Sequence, residues 1–250
     1  MKYAVIAAGE GSRLAAEGVA VPKPLVKVAG ECLMDRLIRI FMENDAEEIV
    51  VICNEHMTPV AQHLLDIQRD GLQGRPVPLR FIVKSTPSSM HSLHAMSQYL
   101  TDAPFVLTTV DTIFREDEFK AYVRAFSQYE GDALMGVTTY IDDEKPLYVT
   151  VDAQQHITGF HDAPPLLRGE GRGEQSVLVS AGIYGLTPSV FNVLNGCISR
   201  GEKRMRNFQR ALVTAGCRVQ AWPFTKVLDI DHATDIQKAE AFVSGGCKLL

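Results

Sequence analysis

The first residues with chemical potential lie in Ala7-Ala8-Gly9-Glu10-Gly11-Ser12-Arg13-Leu14. Glycines at 9 and 11 permit positive φ and close backbone approach, so successive N–H groups can face an anion at the start of a helix. Leu14 stands where a dinucleotide fingerprint has its third glycine, and no Gly-Lys-Ser/Thr follows, so neither that fingerprint nor a Walker loop is present. Alone, the loop reads equally as a tight strand-to-helix turn. Shortly after it comes Pro22-Lys23-Pro24. Each proline restricts the residue before it, which predicts a Lys23 held in extended backbone and unable to drift into a helix. Asp111 ends the strand-like run Phe105-Val-Leu-Thr-Thr-Val-Asp111. A parallel sheet places its ligands at that edge, although Asp111 could instead cap the next helix, a role also open to Asp117. Asp229-Ile-Asp231 alternates along an extended piece, so its two carboxylates should point to opposite faces and one should face a site. The other is free to cap the terminal helix, for which Thr234-x-x-Gln237 also offers a capping box.

These residues need elements to hold them. Runs rich in β-branched and aromatic residues recur at Tyr3–Ala8, Glu48–Cys53, Leu79–Val83 and Phe105–Thr109. Helix-period segments separate them, with Leu33, Met34, Leu37, Ile38 and Phe41 on one face, then Met57, Val60, Leu64 and Ile67, then Phe119, Tyr122, Val123 and Phe126. The alternation predicts an α/β fold: one doubly wound, mainly parallel, Rossmann-like sheet with helices on both faces. From Ala133 the texture changes to closely spaced pieces, Ala133–Tyr140, Leu147–Val151, His156–Phe160 and Val177–Leu186, which predict a smaller antiparallel extension. Ala163–Gly173 is read as a surface loop from its prolines and glycines. Helical texture returns at Pro188–Leu194 and Lys203–Thr214, followed by a short strand at Val219–Phe224 and a helix from about Thr234.

Composition narrows the function. The 250 residues are 46% hydrophobic and 22% charged, the balance of an ordered globular chain able to bury a core. The longest apolar run, Tyr3–Ala8, is far below the roughly 20 residues that cross a bilayer, and its passage into the glycine loop reads as a buried first strand, not a signal peptide. A net charge of −5 argues against a nucleic-acid surface. Five scattered cysteines, Cys32, Cys53, Cys197, Cys217 and Cys247, have no C-x-x-C pair and no histidine at ligand spacing, so neither a disulfide framework nor a zinc site is expected. Free thiols point to a reducing cytoplasm.

Ala7-Ala8-Gly9-x-Gly11-x-Arg13-Leu14 followed by Pro22-Lys23-Pro24-Leu25 resembles the signature of the nucleotidyltransferase superfamily of sugar-1-phosphate pyrophosphorylases. The resemblance continues at Phe105–Asp111, at Ser180-Ala-Gly-Ile-Tyr-Gly-Leu-Thr-Pro188 and at Val227-Leu-Asp229-Ile-Asp231, across almost the whole chain. It implies one domain over residues 1–250, with a nucleotide half over about 1–130 and an acceptor half over about 131–230. It implies transfer of NMP from an NTP to a sugar 1-phosphate or similar phosphorylated small alcohol, with release of pyrophosphate. Arg13 and Lys23 take catalytic roles, Ala7, Ala8, Gly9, Gly11, Ser12, Ser89 and Ser92 line the nucleotide, and Asp111 and Asp229 hold Mg²⁺. Asp231 is left the structural role. The acceptor candidates are Gly182, Asp162, Arg204, Arg206 and Lys226. A homodimer is common in the family. No left-handed β-helix acyltransferase domain of the kind some members append is expected, so the chain should be monofunctional.

The chain departs from the family pattern in two places. Lys84-Ser-Thr-Pro-Ser-Ser89-Met-His91-Ser92 replaces the glutamine and Gly-Thr pair that hold the base, leaving base identity open; Ser88 or Ser89 could equally cap the helix that follows. Phe160-His161-Asp162 stands where sugar-specific members carry Glu-Lys-Pro, and Asp162 reads as well as a turn residue. Lys203, Arg204, Arg206 and Arg210 form a basic cluster placed to meet an acceptor phosphate. Two other readings stand beside this one. A nucleotide-sugar-dependent glycosyltransferase would use Asp229-Ile-Asp231 as its metal motif, but leaves the glycine loop and Lys23 idle. A catalytically silent regulatory subunit of the same fold would not need the intact Arg13, Lys23, Asp111 and Asp229.

Overall fold

Tyr3–Ala7 is an unbroken apolar run because its strand is covered on both faces, as central parallel strands are. The computed structural model, which describes residues 1–165 and 177–245, threads that strand through the middle of the sheet. In chain order the elements are β1 (Lys2–Ala7), α1 (Ser12–Ala16), a 3₁₀ turn at Lys23–Leu25, β2 (Lys27–Val28), β3 (Glu31–Cys32), α2 (Leu33–Met42), β4 (Glu48–Cys53), α3 (Thr58–Asp70) and β5 (Leu79–Val83). Then come α4 (Ser89–Met96), β6 (Phe105–Thr109), β7 (Thr112–Ile113), α5 (Glu116–Ser127), β8 (Ala133–Thr138), β9 (Tyr148–Val151), β10 (Ile157–His161) and β11 (Leu178–Leu186). The chain continues through α6 (Val190–Ser199), α7 (Met205–Thr214), β12 (Val219–Phe224), β13 (Leu228–Asp229) and α8 (Ala233–Ser244). Most of the segment read as a surface loop lies outside the described residues.

The main sheet runs β10-β9-β11-β6-β1-β4-β5, with β8 on β11 and β12 on β8. β1 pairs parallel with both β4 and β6, and β4 parallel with β5. The order reverses between β1 and β6, which opens a crevice beyond their carboxyl ends. The expected antiparallel extension is present in β9, β10 and β11, while β12 returns parallel to β8. Alternation along β1 splits the core. Tyr3, Val5 and Ala7 pack with α2, α3 and α5 on one face, where Tyr3 stacks on Phe41 at 4.4 Å. Ala4 and Ile6 pack with α4, α6 and α7 on the other.

β11 positions the second half of the site. Its later residues pair with β6 from Ile183 to Leu186, while Leu178 and Val179 pair with β9. The register against β8 breaks between Ser180 and Tyr184, and within the break Gly182 adopts φ +71. The irregularity leaves a gap beside the carboxyl end of β6, the kind of strand defect that re-aims side chains near sites.

Candidate active site

The glycine loop leaves the end of β1 and turns at Gly11, whose φ of 61 caps α1. A Cβ there would meet Lys23 Cβ at 3.1 Å, so the loop packs directly on the segment that carries the lysine. Only one of the two glycines uses the left-handed region: Gly9 does not, and faces open space. Lys23 corrects the expectation of an extended backbone. Pro22 alone is extended, at ψ 143, and Lys23 begins one 3₁₀ turn closed by Leu25 N–H to Pro22 C=O at 2.8 Å. A proline inside such a first turn loses no hydrogen bond, so the two prolines pin the lysine by a different route.

The Lys23 ammonium reaches the end of β6, donating to Asp111 Oδ2 at 2.6 Å and to Asp231 Oδ1 at 2.8 Å. Its side chain is 10% exposed. Burial pulls its pKa down, but the Asp111 and Asp231 carboxylates outweigh this and hold it above the ordinary lysine value. Arg13 Nη1 approaches the other oxygen of Asp231 at 3.1 Å and is half open to solvent. Asp231 therefore faces the site and does not serve the terminal helix. That role falls to Asp235, whose carboxylate accepts from His232 N–H at 2.8 Å and Asp231 N–H at 3.2 Å. Neither Asp231 nor the Thr234 box caps the helix. The alternation argument holds only within a strand, and β13 ends at Asp229; beyond it Ile230 N–H bonds Asp111 C=O at 3.1 Å and the chain bends at His232. Glu17 fixes the junction by accepting from Ala233 N–H at 2.7 Å while its other oxygen contacts His232 Nδ1 at 2.6 Å.

β13 pairs with β7, Asp229 opposite Thr112, and so sets Asp229 beside Asp111. The Asp229 side chain opens to solvent at the cleft mouth, yet protein crowds it from behind. That enclosure, then the negative charge of Asp111, Asp231 and Asp143, holds its carboxyl well above the usual carboxylate range. Three carboxylates thus converge with one lysine and one arginine.

A cavity of about 220 Å³ lined by Arg13, Asp143, Asp229 and Asp231 borders this cluster, and two further cavities flank it. The first, of about 390 Å³, is lined by Ala8, Gly9, Gly11, Lys23, Asn54, Thr86, Ser89, Ser92 and Asp111. Ala7 ends β1 in the core and Ser12 opens α1 on the surface; neither lines the cavity. Ser88 caps α4, accepting from His91 N–H at 3.5 Å, and both Ser88 and Ser89 line the two cavities. Ser92 is buried and bonded to Thr86 at 2.6 Å. Asn54 was missed by sequence reasoning although it follows β4 as Asp111 follows β6. It is buried, donates to Ala8 C=O at 3.3 Å and accepts from Ser85 at 2.9 Å, tying the loop after β1 to the loop after β5.

The second cavity lies beneath the break in β11, lined by Thr109, Asp143, Lys145, Ser180, Gly182, Lys203, Arg204, Arg206, Gln209 and Asp229. Gly182 sits at its floor, where a Cβ would lie 3.3 Å from Thr112 Oγ1. Gln209, buried, donates to Ser180 Oγ at 3.0 Å. Two acceptor candidates are placed elsewhere. Lys226 lies over the Tyr140 ring at 4.2 Å and near Phe242 at 5.4 Å, drawn away by the aromatic faces. Asp162 contacts Arg206 at 2.5 Å and Arg210 at 2.7 Å, which hold its carboxyl below the ordinary range, and it does not line the cavity. Arg206 is correspondingly engaged by Asp162 and by the Lys145 carbonyl at 3.1 Å, leaving Lys203 and Arg204 as the cavity's other cations from that cluster.

The donors at the junction are all carboxylate oxygens, which suit a hard divalent cation, and such a cation would offset the negative charge that Asp111 and Asp231 add to the burial of Asp229. Two cavities that share Ser88, Ser89 and Thr109, with Lys23 and Asp111 on the wall of one and Asp229 on that of the other, can bring two polyanions together. The glycosyltransferase reading is not favoured, because Lys23 bonds directly with Asp231 and joins the glycine loop to the same centre as the aspartate motif.

Known proteins resemble the chain in sequence and in fold. The chain is 31% identical over 122 residues to a bifunctional IPC transferase and DIPP synthase of Thermococcus kodakarensis, covering 48% of this chain and 26% of that protein. It is 26% identical over 251 aligned positions to a UTP–glucose-1-phosphate uridylyltransferase of Haloferax volcanii, covering 96% and 95% of the two chains. The crystal structure of a Bacillus anthracis protein provisionally named a glucose-1-phosphate thymidylyltransferase superposes with a TM-score of 0.80 at 19% identity, over 97% of this chain and 94% of that one, a likeness of fold. The nucleotidyl transferase family model matches residues 2–244, and the chain belongs to that family.

Proposed function

We propose that the protein transfers a nucleoside monophosphate from an NTP to a phosphorylated sugar or similar small alcohol, with Mg²⁺ as cofactor and pyrophosphate as the second product. The observation that carries this reading is the Lys23 ammonium held between Asp111 and Asp231, with Lys23 and Asp111 on the wall of the first cavity and Asp229 on that of the second. In the first cavity the loop from Ala8 to Gly11 binds the triphosphate, and Arg13 meets it from the neighbouring cavity that it lines with Asp229 and Asp231. Lys23 stabilises charge on the α-phosphate as it develops. In the second cavity Lys203 and Arg204 draw in the acceptor's phosphate, and Gly182 lets it approach the backbone.

An oxygen of that phosphate attacks the α-phosphorus in line. A new P–O bond forms as the bond to pyrophosphate breaks, and the leaving group carries away the electron pair. The acceptor phosphate is already ionised, so no general base is required. Asp111 and Asp229 would hold Mg²⁺, which supplies charge neutralisation between the two polyanions; at about 4 Å each like-charge pair costs about 4 kcal/mol at an effective dielectric near 20. Substrates of this kind and buried free thiols suit a cytoplasmic setting. Among the described residues no helix is long and apolar enough to cross a membrane.

The test is pyrophosphate release across a panel of the four NTPs with hexose 1-phosphates and inositol phosphate, in Mg²⁺. Turnover with at least one pair supports the reading. No turnover with any pair, together with no NTP binding, would remove it.

A further inference from the structure

Away from the cleft, three side chains of different chemistry meet where α2 and α3 cover the sheet. Cys32 ends β3 at the N-terminus of α2, where its Sγ accepts the Asp35 N–H at 3.5 Å. His63, in the middle of α3, places Nε2 at 2.6 Å from Asp35 Oδ1 and 3.9 Å from Cys32 Sγ. Among the described residues this is the group of His, Cys and acidic side chains whose ligand atoms all lie within 4.8 Å of one another. The reaction proposed above uses none of them. Spacing along the chain gave no sign of the cluster, because folding brings the third member in from a separate helix.

We infer that Cys32, Asp35 and His63 form a binding site for a thiophilic divalent cation of the zinc class. Tetrahedral zinc, with bonds of about 2.3 Å to sulfur and about 2.1 Å to nitrogen and oxygen, separates sulfur from nitrogen by about 3.6 Å and nitrogen from oxygen by about 3.4 Å. The sulfur–nitrogen pair already stands near that spacing. The Asp35–His63 pair must open by about 0.8 Å, as it would when a cation replaces the proton the two share. Both side chains are partly exposed, at 24% and 31%, so the carboxylate has room to move and water has access to a fourth position.

The donor chemistry separates this site from the active-site carboxylates. A thiolate, an imidazole and one carboxylate select a borderline-soft ion over Mg²⁺. A purely structural role explains the Asp35–His63 contact, but not a thiol at an N-cap where serine or aspartate is the better acceptor. The site also has a mechanical outlet. Lys27 pairs with Cys32, and Leu33 N–H bonds Val26 C=O at 3.0 Å, so a bound cation braces α3 against the hairpin that directly follows the Lys23 turn.

The full chain, stripped with a chelator and kept in excess Mg²⁺, is titrated with Co²⁺ and then Zn²⁺. The expected result is one equivalent of Co²⁺ per chain with sulfur-to-cobalt charge-transfer absorption, displaced by Zn²⁺, and a higher unfolding temperature with Zn²⁺. Cys32→Ser, which keeps an N-cap acceptor, loses the absorption. His63→Gln weakens Zn²⁺ binding at least about tenfold. Circular dichroism of both metal-free variants verifies that they are folded. The inference is overturned if the folded wild-type chain gives no sulfur–cobalt absorption. It is equally overturned if that absorption persists in Cys32→Ser, or if Zn²⁺ affinity is unchanged in folded His63→Gln.

Discussion

Lys23 has two carboxylate partners and, in the proposed reaction, one phosphate to meet, so its removal should register in the chemical step. Lys23→Met is expected to lower kcat by about 10²–10³-fold in single-turnover measurements, the usual cost of losing one preorganised charge donor. Asp231→Asn keeps a neutral acceptor for Lys23 and Arg13 but no longer balances them, and a loss of about 10–100-fold in kcat is expected. Lys226→Ala is the contrasting control: it removes a cation–π contact worth about 0.5–1 kcal/mol of stability and should leave kcat/KM within about threefold of wild type. Steady-state kinetics on the three variants separate these roles. Folding brings the side chains of Arg13, Lys23, Asp111 and Asp229 together, and their motifs were legible through the family resemblance. Asp231 was not, because period-two alternation holds only while the chain stays extended, and β13 stops at Asp229.

At the scale of elements, the loop after β1 and the 3₁₀ turn act as one part. Gly11→Ala adds a side chain at φ 61 and against Lys23 Cβ at 3.1 Å. It should cost about 1–2 kcal/mol in denaturant unfolding and lower kcat as well, because the lysine is displaced. The tether between α2 and α3 gives a pH dependence in the metal-free chain. The hydrogen bond to Asp35, with a smaller contribution from Cys32, pushes His63 up to about 10. A pKa raised above its unfolded value stabilises the fold fully below about 6.5 and loses that effect as pH climbs through about 10. The difference in unfolding temperature between wild type and His63→Gln should therefore be largest in mild acid and shrink toward pH 10. Long periodic elements such as α2 were readable from the sequence. The two-residue strands β7 and β13, which join Asp111 to Asp229, were not, since so short a pair carries no period and exists only through its tertiary partner.

Across the whole molecule, the alternation of buried runs and helical faces was enough to anticipate a doubly wound sheet, because covering a parallel sheet on both sides leaves few other solutions. Sequence patterning did not reveal how β11 divides its pairing between β6 and β9, and that division makes the second cavity. It also gave no sign that Asp162 and Lys226 would be drawn off by Arg206, Arg210 and two aromatic rings. The site is assembled from Arg13 and Lys23 near one end of the chain, Asp111 in its middle and Asp229 and Asp231 near the other. The central claim is that these residues form one centre for nucleotidyl transfer. Its most direct test follows an NTP labelled at the α-phosphate, with Mg²⁺ and the acceptor panel, in wild type and Lys23→Met. The account predicts label in the acceptor product, one pyrophosphate per label transferred, and loss of both in the variant. Label that stays in the NTP, or transfer that is undiminished in Lys23→Met, would contradict it.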